Sequence, residues 1–269
     1  MTTQARPDVG IVGGTGFYAL LAESEQITVD TPFGPPSGPV TVGDVGGRTV
    51  AFLARHGADH RFPPHRINYR ANIWALRAVG VRQVLAPCAV GSLLPELGPG
   101  SLVVPDQIVD RTSGRQRTYY DSGAVHVSFA DPYCPVGRET VLKTAHEHGS
   151  PVTDGGTTVV IDGPRFSSRA ESRWYAGQGW SLVNMTGQPE AGLARELALC
   201  YTSIALVTDL DAGLTPGDEV QQQDVFQVFA ENVERLRALL LRVVAALPRK
   251  PACRCGATLE GIDLPSEPA

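Results

Sequence analysis

Short apolar runs alternate along this chain with segments of helical period, and this alternation constrains the fold more than any other feature. Apolar or alternating runs bounded by Gly or Pro predict strands at 8–13, 26–30, 39–45, 48–54, 83–92, 101–110, 156–166, 180–185 and 200–213. Apolar residues at helical spacing predict helices at 67–79, 137–149, 168–179, 189–199 and 224–247. We therefore expect an α/β fold, a single domain over residues 1–247 with a mixed central β-sheet flanked by helices.

The C-terminal segment 248–269 is rich in Pro, Gly and Cys, and we expect a poorly ordered tail. The cysteines of the chain are Cys88, Cys134, Cys200, Cys253 and Cys255. They form no CxxC pair and have no zinc-ligand spacing. The sequence therefore favours exposed thiols without a role at Cys253 and Cys255 over a redox or metal site, and it predicts no bound metal.

The overall charge and hydropathy restrict the partners that this chain would bind. A formal net charge of −5 and a pI of about 5.7 give no reason to expect nucleic acid as a partner. No apolar run reaches the roughly 18 residues that a membrane span requires. The N-terminal stretch MTTQARPDVG lacks the apolar core of a signal peptide, so we expect a cytoplasmic protein that binds no membrane.

The glycine-rich turn after the first predicted strand suggests a phosphate site. Gly14, Gly16 and Ala19 match a dinucleotide-binding fingerprint, and Asp30 ends the next predicted strand. Only residues 17–25 separate the turn from that strand, which is too short for the usual crossover helix, so a nicotinamide cofactor is disfavoured. A turn with exposed backbone N–H groups beside the Thr15 hydroxyl is equally suited to a single phosphate.

Arg55 and His56 follow another predicted strand and would bind an anion. Arg55 offers a bidentate fork, and His56 offers a further donor. His60 and His65 lie nearby, which raises the alternative of a metal site. The segment has no HExxH motif and no helix signal, and it contains two prolines, so the metal alternative is disfavoured.

Acidic and aromatic residues occupy two further predicted strand ends. Alternation places Asp209 and Asp211 on one face at the end of a buried strand, where two carboxylates are costly unless they bind a ligand or share a proton. Phe166 lies in the loop GPRFSSRAES, where an aromatic ring would stack on a flat ligand, although a lone Phe is more often a core residue.

Together these stretches resemble the trimeric purine nucleoside phosphorylase family, in particular its 5′-methylthioadenosine phosphorylase branch. The similarity covers roughly residues 8–240 and rests on IVGGTGFY, RHGADHRFPPHRINYRANIWAL, GPRFSSRAES, VNMTGQPEAGL and LVTDLDAG. The resemblance implies phosphorolysis, in which a purine nucleoside and inorganic phosphate give a free purine and ribose 1-phosphate. It also implies no cofactor beyond phosphate as co-substrate, and a homotrimer or a dimer of trimers.

The resemblance assigns roles to individual residues. Phosphate would be bound by Thr15, Arg55, His56, Cys88, Ala89 and Thr186. The ribose would contact Met185, whose apolar thioether suits a sugar face, and Glu190. The base would contact Phe166, Ser167, Asp209 and Asp211, with Asp209 as the catalytic acid that protonates N7. His126 would reach the 5′ pocket of a neighbouring subunit.

Two departures from the branch affect the expected substrate. Cys88, in Pro87-Cys88-Ala89, replaces a phosphate-binding hydroxyl with a poorer donor. Gln222 stands where an aliphatic residue is usual, while Val225 and Phe226 keep the rest of the 5′ pocket apolar. A buried amide beside a thioether would be unpaired, at a cost of about 1–3 kcal/mol, whereas a 5′-hydroxyl would satisfy it.

The sequence therefore favours a purine nucleoside phosphorylase of purine salvage. One alternative is a phosphorylase of S-methyl-5′-thioadenosine or methylthioinosine, because two carboxylates suit a 6-amino group. The non-enzyme alternative is a nucleoside-binding protein. That alternative ranks low because Thr15, Arg55, His56 and Thr186 are all present.

Overall fold

The structure is a computed structural model and describes residues 6–14, 17, 21, 24–212 and 219–262. Within these residues the strands are β1 Val9–Gly13, β2 Ser24–Ile27, β3 Val40–Asp44, β4 Thr49–Ala54, β5 Gln83–Ser92, β6 Leu102–Val104, β7 Gln107–Asp110, β8 Thr153–Asp154, β9 Thr157–Val160, β10 Leu182–Asn184 and β11 Cys200–Leu210. The helices are α1 Tyr69–Val79, α2 Pro135–Glu147, α3 Arg169–Gly177, α4 Gly187–Glu196 and α5 Gln222–Ala246.

All of these strands belong to one mixed sheet. Its main path runs β2-β3-β4-β1-β5-β10-β9-β7, while β11 pairs with both β5 and β6, and β6 pairs with β8. β1, β4, β5 and β11 are mutually parallel, and β10 lies antiparallel to β5. Because parallel strands end at the same edge, the residues after β1, β4 and β11 converge on the second half of β5.

Alternate residues along the central strands are buried on opposite faces of the sheet, because successive side chains of a strand point to opposite faces. Ile11, Phe52 and Leu85 pack with apolar residues of α2 and α5 on one face. Val12 and Leu53 pack with residues of α1 and α4 on the other. The sheet is therefore covered on both sides, which explains why its central strands are almost continuously apolar.

The architecture is the predicted α/β fold with a mixed central sheet flanked by helices. Each predicted helix is present within a few residues of its expected bounds, and α1 ends as predicted at Gly80, whose φ of 122° favours glycine. The predicted strand at 26–30 lies instead at Ser24–Ile27, and the two-residue β8 was not predicted.

Residues 248–262, which follow α5, contact the rest of the domain. Gln83 donates from Nε2 to the Pro248 carbonyl at 2.9 Å, and a 3₁₀ turn spans Cys255–Ala257. Cys255 is buried, so the prediction of two exposed thiols is wrong for this residue. Residues 263–269 of the predicted tail lie outside the described residues. Across the part of the chain that the structure describes, every helix is too short or too polar to cross a membrane.

Candidate active site

A cavity of about 390 Å³ opens at the sheet edge where β1, β4 and β11 end beside β5. Loops and strand ends from distant parts of the sequence supply its walls. The predicted site residues that line it are Arg55, His56, Cys88, Ala89, Phe166, Ser167, Met185, Thr186, Asp209, Asp211, Gln222, Val225 and Phe226. The structure therefore gathers most of the predicted site into one cavity of a size suited to a small ligand.

Arg55 is the most enclosed cation at this cavity. The side chain is 2% exposed, and its Nε and Nη2 each donate to one oxygen of Glu190 at 2.9 Å. Nη2 also donates to the Val12 carbonyl at 2.9 Å, and Nη1 donates to the Pro87 carbonyl at 3.2 Å. Burial by itself lowers the pKa of Arg55, but the Glu190 carboxylate more than offsets this, so the guanidinium stays charged.

These contacts limit what Arg55 offers to an anion. A guanidinium has five N–H donors, and the contacts within the described residues use four of them. One Nη1 hydrogen remains for a ligand at the cavity wall. Because Glu190 neutralises most of the charge, Arg55 acts here as a fixed donor more than as a strong net positive charge.

His56 lies beside Arg55 and is held as a neutral ring. Its Nδ1 lies 2.9 Å from the Phe62 carbonyl, so Nδ1 carries the hydrogen and Nε2 is the acceptor. Burial lowers the pKa of His56 to about 4, and the charge of Arg55 adds to this. The predicted second donor is therefore an acceptor in the free protein, which suits a phosphate that still carries a proton.

Thr186 is placed by Asn184, a residue that the sequence analysis did not single out. Asn184 ends β10, and its Oδ1 accepts the backbone N–H groups of Thr186 at 2.8 Å and Gly187 at 2.6 Å. Its Nδ2 donates to the Ala89 carbonyl at 3.2 Å, which ties this turn to β5. An Asn at the end of a predicted strand, five residues before the predicted helix at 189–199, was the available signal. The turn leaves the Thr186 hydroxyl at the cavity wall.

Met185 lines the cavity and lies very close to Gly163. A Cβ placed on Gly163 would lie 2.5 Å from the Met185 sulfur, and Gly163 has a φ of 63°. Any larger residue at position 163 would therefore be strained and would displace the thioether. The absence of a side chain at Gly163 thus makes room for Met185 at the cavity wall.

Asp209 lies at the end of β11, and its surroundings shift its carboxyl group toward the protonated form. Burial raises the pKa of Asp209 to about 6, with the negative charge of Asp211 adding to it, although a hydrogen bond from Thr208 opposes the shift. The Thr208 hydroxyl lies 2.8 Å from Asp209 Oδ2 and 3.2 Å from the Val90 carbonyl. Thr208 can therefore donate to ionised Asp209, or accept from protonated Asp209 while donating to Val90.

The Asp211 side chain is less exposed than that of Asp209 and is hydrogen-bonded by α3. It is 4% exposed, and the Ser172 hydroxyl of α3 donates to its Oδ2 at 2.5 Å. Burial raises the pKa of Asp211 as well. The buried Ser167 hydroxyl lies close to the Asp211 carboxyl group, where its interaction opposes that rise, and it lines the same cavity. Phe166 lines the same wall and belongs to none of the core clusters, so the alternative of a core Phe does not hold.

Two predicted residues lie away from the cavity, and a third lies outside the described residues. Glu190 is 0% exposed, and instead of the predicted contact with ribose its carboxylate accepts from Arg55 and from the Tyr201 hydroxyl, the latter at 2.7 Å. Glu190 therefore positions Arg55. His126 is exposed on the surface of the single chain. Thr15 is among the residues that the structure does not describe.

On the 5′ side of the cavity, the exposure of Gln222 differs from the prediction. Gln222 was predicted to be a buried amide, but it is exposed at the start of α5, and Phe226 is 51% exposed. Water can therefore satisfy the amide in the single chain, and the expected penalty of an unpaired group does not arise there. Phe229 and His60 also line this side and were not predicted.

Comparisons with known proteins indicate the family of this chain. Residues 8–245 match the model of the phosphorylase superfamily. The chain is 57% identical to a purine nucleoside phosphorylase of Streptomyces coelicolor, over 98% of each chain. It is also 57% identical to an S-methyl-5′-thioadenosine phosphorylase of Mycolicibacterium smegmatis, over 96% of this chain and 98% of that protein. Among solved structures, a methylthioadenosine phosphorylase from an antarctic soil metagenomic library is similar with a TM-score of 0.89 at 37% identity, covering 96% of this chain and 92% of that one.

Proposed function

Because the chain belongs to the phosphorylase superfamily, we propose that it cleaves the N-glycosidic bond of purine ribonucleosides with inorganic phosphate, releasing the purine and ribose 1-phosphate. One observation carries this proposal. A single cavity presents the donors Arg55 and Thr186 together with the carboxyl groups of Asp209 and Asp211, and Met185 lines the same cavity. An anion site and an acid site in one cavity are what a phosphorolytic cleavage requires.

The mechanism follows from where charge develops. Breaking the bond leaves positive charge on the sugar and negative charge on the leaving purine. Phosphate bound by Arg55, His56 and Thr186 stabilises the sugar cation and attacks C1′ from the face opposite the base. The Met185 thioether packs against the sugar without competing for its hydroxyl groups.

Asp209 serves as the acid for the leaving group. Its raised pKa, about 6, leaves a larger fraction of the carboxyl group protonated near neutral pH than an ordinary Asp would have, and proton donation to purine N7 neutralises the departing base. Asp211, fixed by Ser172, faces the 6-substituent together with the Ser167 hydroxyl. Phe166 stacks on the purine ring, which orients N7 toward Asp209.

The 5′ group of the substrate is proposed to be a hydroxyl. Gln222 lines the cavity and offers both an amide donor and an acceptor to such a group. The substrate class is then inosine, guanosine or adenosine. A protonated Asp209 or Asp211 would donate to a 6-oxo group, and an ionised one would accept from a 6-amino group.

S-methyl-5′-thioadenosine is the second candidate substrate. It is favoured by the apolar side chains of Val225, Phe226 and Phe229, which lie on the same side of the cavity as Gln222. Exposure of the Gln222 amide lets it turn toward water, which makes room for a methylthio group beside these residues. Several similar proteins, including two mycobacterial ones, are named S-methyl-5′-thioadenosine phosphorylase.

Parallel measurements of kcat/KM for inosine, adenosine and methylthioadenosine separate these candidates. We expect base release to require phosphate for every substrate, and we expect the two 5′-hydroxyl nucleosides to be preferred. Gln222→Val should shift the ratio toward methylthioadenosine by about 10-fold, since one hydrogen bond of roughly 1–1.5 kcal/mol is lost with the 5′-hydroxyl substrates. A preference of the unmodified protein for methylthioadenosine of a hundredfold or more would overturn the Gln222 argument. Equal rates without phosphate would indicate a hydrolase.

The assembly is proposed to be a cytoplasmic homotrimer with sites at subunit interfaces. His126 is exposed and lies outside the cavity of its own chain, as a residue that serves a neighbouring subunit would. Phe226 at the cavity mouth is half exposed, and a neighbouring subunit would cover it. Light scattering that showed a fully active monomer would contradict this assembly.

A further inference from the structure

Four of the five cysteines come together at the end of the molecule opposite the cavity. Cys134 is the N-cap residue of α2, and Cys200 is the first residue of β11. Cys253 and Cys255 lie in the segment after α5, where Cys255 begins the 3₁₀ turn. Asp209 lies nine residues along β11 from Cys200, a distance of about 30 Å in an extended strand, so this cluster is separate from the active site.

The sulfur atoms are spaced as ligands of one metal ion are spaced. The four Sγ atoms all lie within 4.8 Å of one another. The Sγ of Cys253 lies 3.7 Å from that of Cys134 and 3.4 Å from that of Cys200. A tetrahedral zinc ion with Zn–S bonds of about 2.3 Å sets its sulfur atoms about 3.8 Å apart. A disulfide would require about 2.05 Å, and all four cysteines are free.

The surroundings of the cluster suit bound thiolates. Cys134, Cys200 and Cys255 are 1%, 5% and 3% exposed, and Val136 packs against them. The backbone N–H of Gly137 donates to the Cys134 sulfur at 3.4 Å, and the N-terminus of α2 adds a favourable dipole. Thiols are weak hydrogen-bond donors, so four of them facing one another would gain little without a metal.

From this geometry we infer that Cys134, Cys200, Cys253 and Cys255 bind one structural zinc ion in each chain. Four protein ligands fill a tetrahedral shell and leave no position for substrate, so the ion stabilises the fold and takes no part in the reaction. It fastens the segment after α5 to the N-terminal ends of α2 and β11. Spacing along the chain could not predict this zinc site, because its ligands come from three distant segments.

Metal analysis of the full chain, purified without an affinity tag, tests this inference. We expect inductively coupled plasma mass spectrometry to find about one zinc per chain. Cys253→Ser/Cys255→Ser should lose the zinc, whereas Cys88→Ser, which changes the one cysteine outside the cluster, should keep it. Replacement of zinc by cobalt should give the ligand-field and thiolate charge-transfer bands of a tetrahedral tetrathiolate site. The zinc-free double variant should unfold at a midpoint at least about 5 °C lower.

Intact mass under denaturing conditions distinguishes the other outcomes and does not depend on how well a variant folds. A chain whose mass is lower by two hydrogens for each bond, and which holds no metal, would show disulfides and overturn the inference. A metal-free chain with four reactive thiols would overturn it as well. Iron in place of zinc would contradict the assignment of the metal. Zinc retained in Cys253→Ser/Cys255→Ser would show that the ion is bound elsewhere.

Discussion

Replacing Asp209 by Asn should lower kcat by about 10²–10⁴-fold, while the KM for phosphate remains nearly unchanged. The amide keeps the shape of the carboxyl group but cannot transfer a proton to the leaving purine. Phosphate affinity should persist because Arg55, His56 and Thr186 are untouched. Steady-state kinetics with nucleoside and phosphate varied independently would measure both constants. Unchanged turnover in Asp209→Asn would remove the acid role.

The pH dependence of kcat/KM is a second test of the acid role of Asp209. The protonated form of Asp209 is the active one, so its contribution to kcat/KM should be full below about pH 6 and fall as pH rises through that value. The kcat/KM of Asp209→Asn should lack this decrease and keep only the pH dependence that comes from phosphate and His56. Thr208→Val is the matched comparison, since it leaves the carboxyl in place but removes a hydrogen bond that lowers its pKa. In Thr208→Val the decrease of kcat/KM should occur at higher pH. A decrease at the same pH as in the unmodified protein would show that a group other than Asp209 titrates.

Replacing Glu190 by Ala should destabilise the protein by about 3–5 kcal/mol, because Arg55 would be left as a buried charge without its partner. In a domain of this size that loss corresponds to a midpoint of thermal unfolding about 10 °C lower. The Tyr201 hydroxyl would lose its acceptor as well. Phosphate would supply a replacement counter-charge, so it should raise the midpoint of Glu190→Ala more than that of the unmodified protein. Differential scanning calorimetry with and without phosphate measures both effects.

Glu147→Ala is the control for this second prediction. Glu147 pairs with Lys143 on the surface of α2, where both side chains are more than half exposed, and its loss should change the midpoint little. The double variant Arg55→Met/Glu190→Leu should regain much of the stability of the pair yet bind phosphate poorly. If Glu190→Ala unfolds no earlier than Glu147→Ala, the buried pair does not position Arg55 as described.

Most elements of the fold followed from the sequence because each is dictated locally. The apolar run 83–92 became β5 with the predicted bounds, and α5 followed from its long amphipathic period. The alternation of Ile11 and Val12 between the two faces follows from the period of a strand. The two-residue β8 could not be predicted, because its pairing with β6 depends on neighbours some 50 residues away.

The site was predicted less completely, because several of its interactions join residues far apart in sequence. Arg55 and Glu190 are 135 residues apart, and their pairing gives Glu190 a positioning role that a strand-end pattern cannot reveal. The exposure of Gln222 depends on how α5 meets the sheet. The cysteine cluster joins Cys134 to residues more than 60 positions later. Local motifs found the strand-end residues, and tertiary packing decided which of them reach the cavity.

The central claim is that phosphate and a carboxyl acid act on one nucleoside from opposite sides of the cavity. A crystal structure of the protein with sulfate and a purine nucleoside tests it most directly. We predict sulfate within hydrogen-bond distance of Arg55 and Thr186, the sugar over Met185, and purine N7 within hydrogen-bond distance of Asp209. Sulfate and base bound on separate surfaces, or N7 turned away from Asp209, would contradict this account.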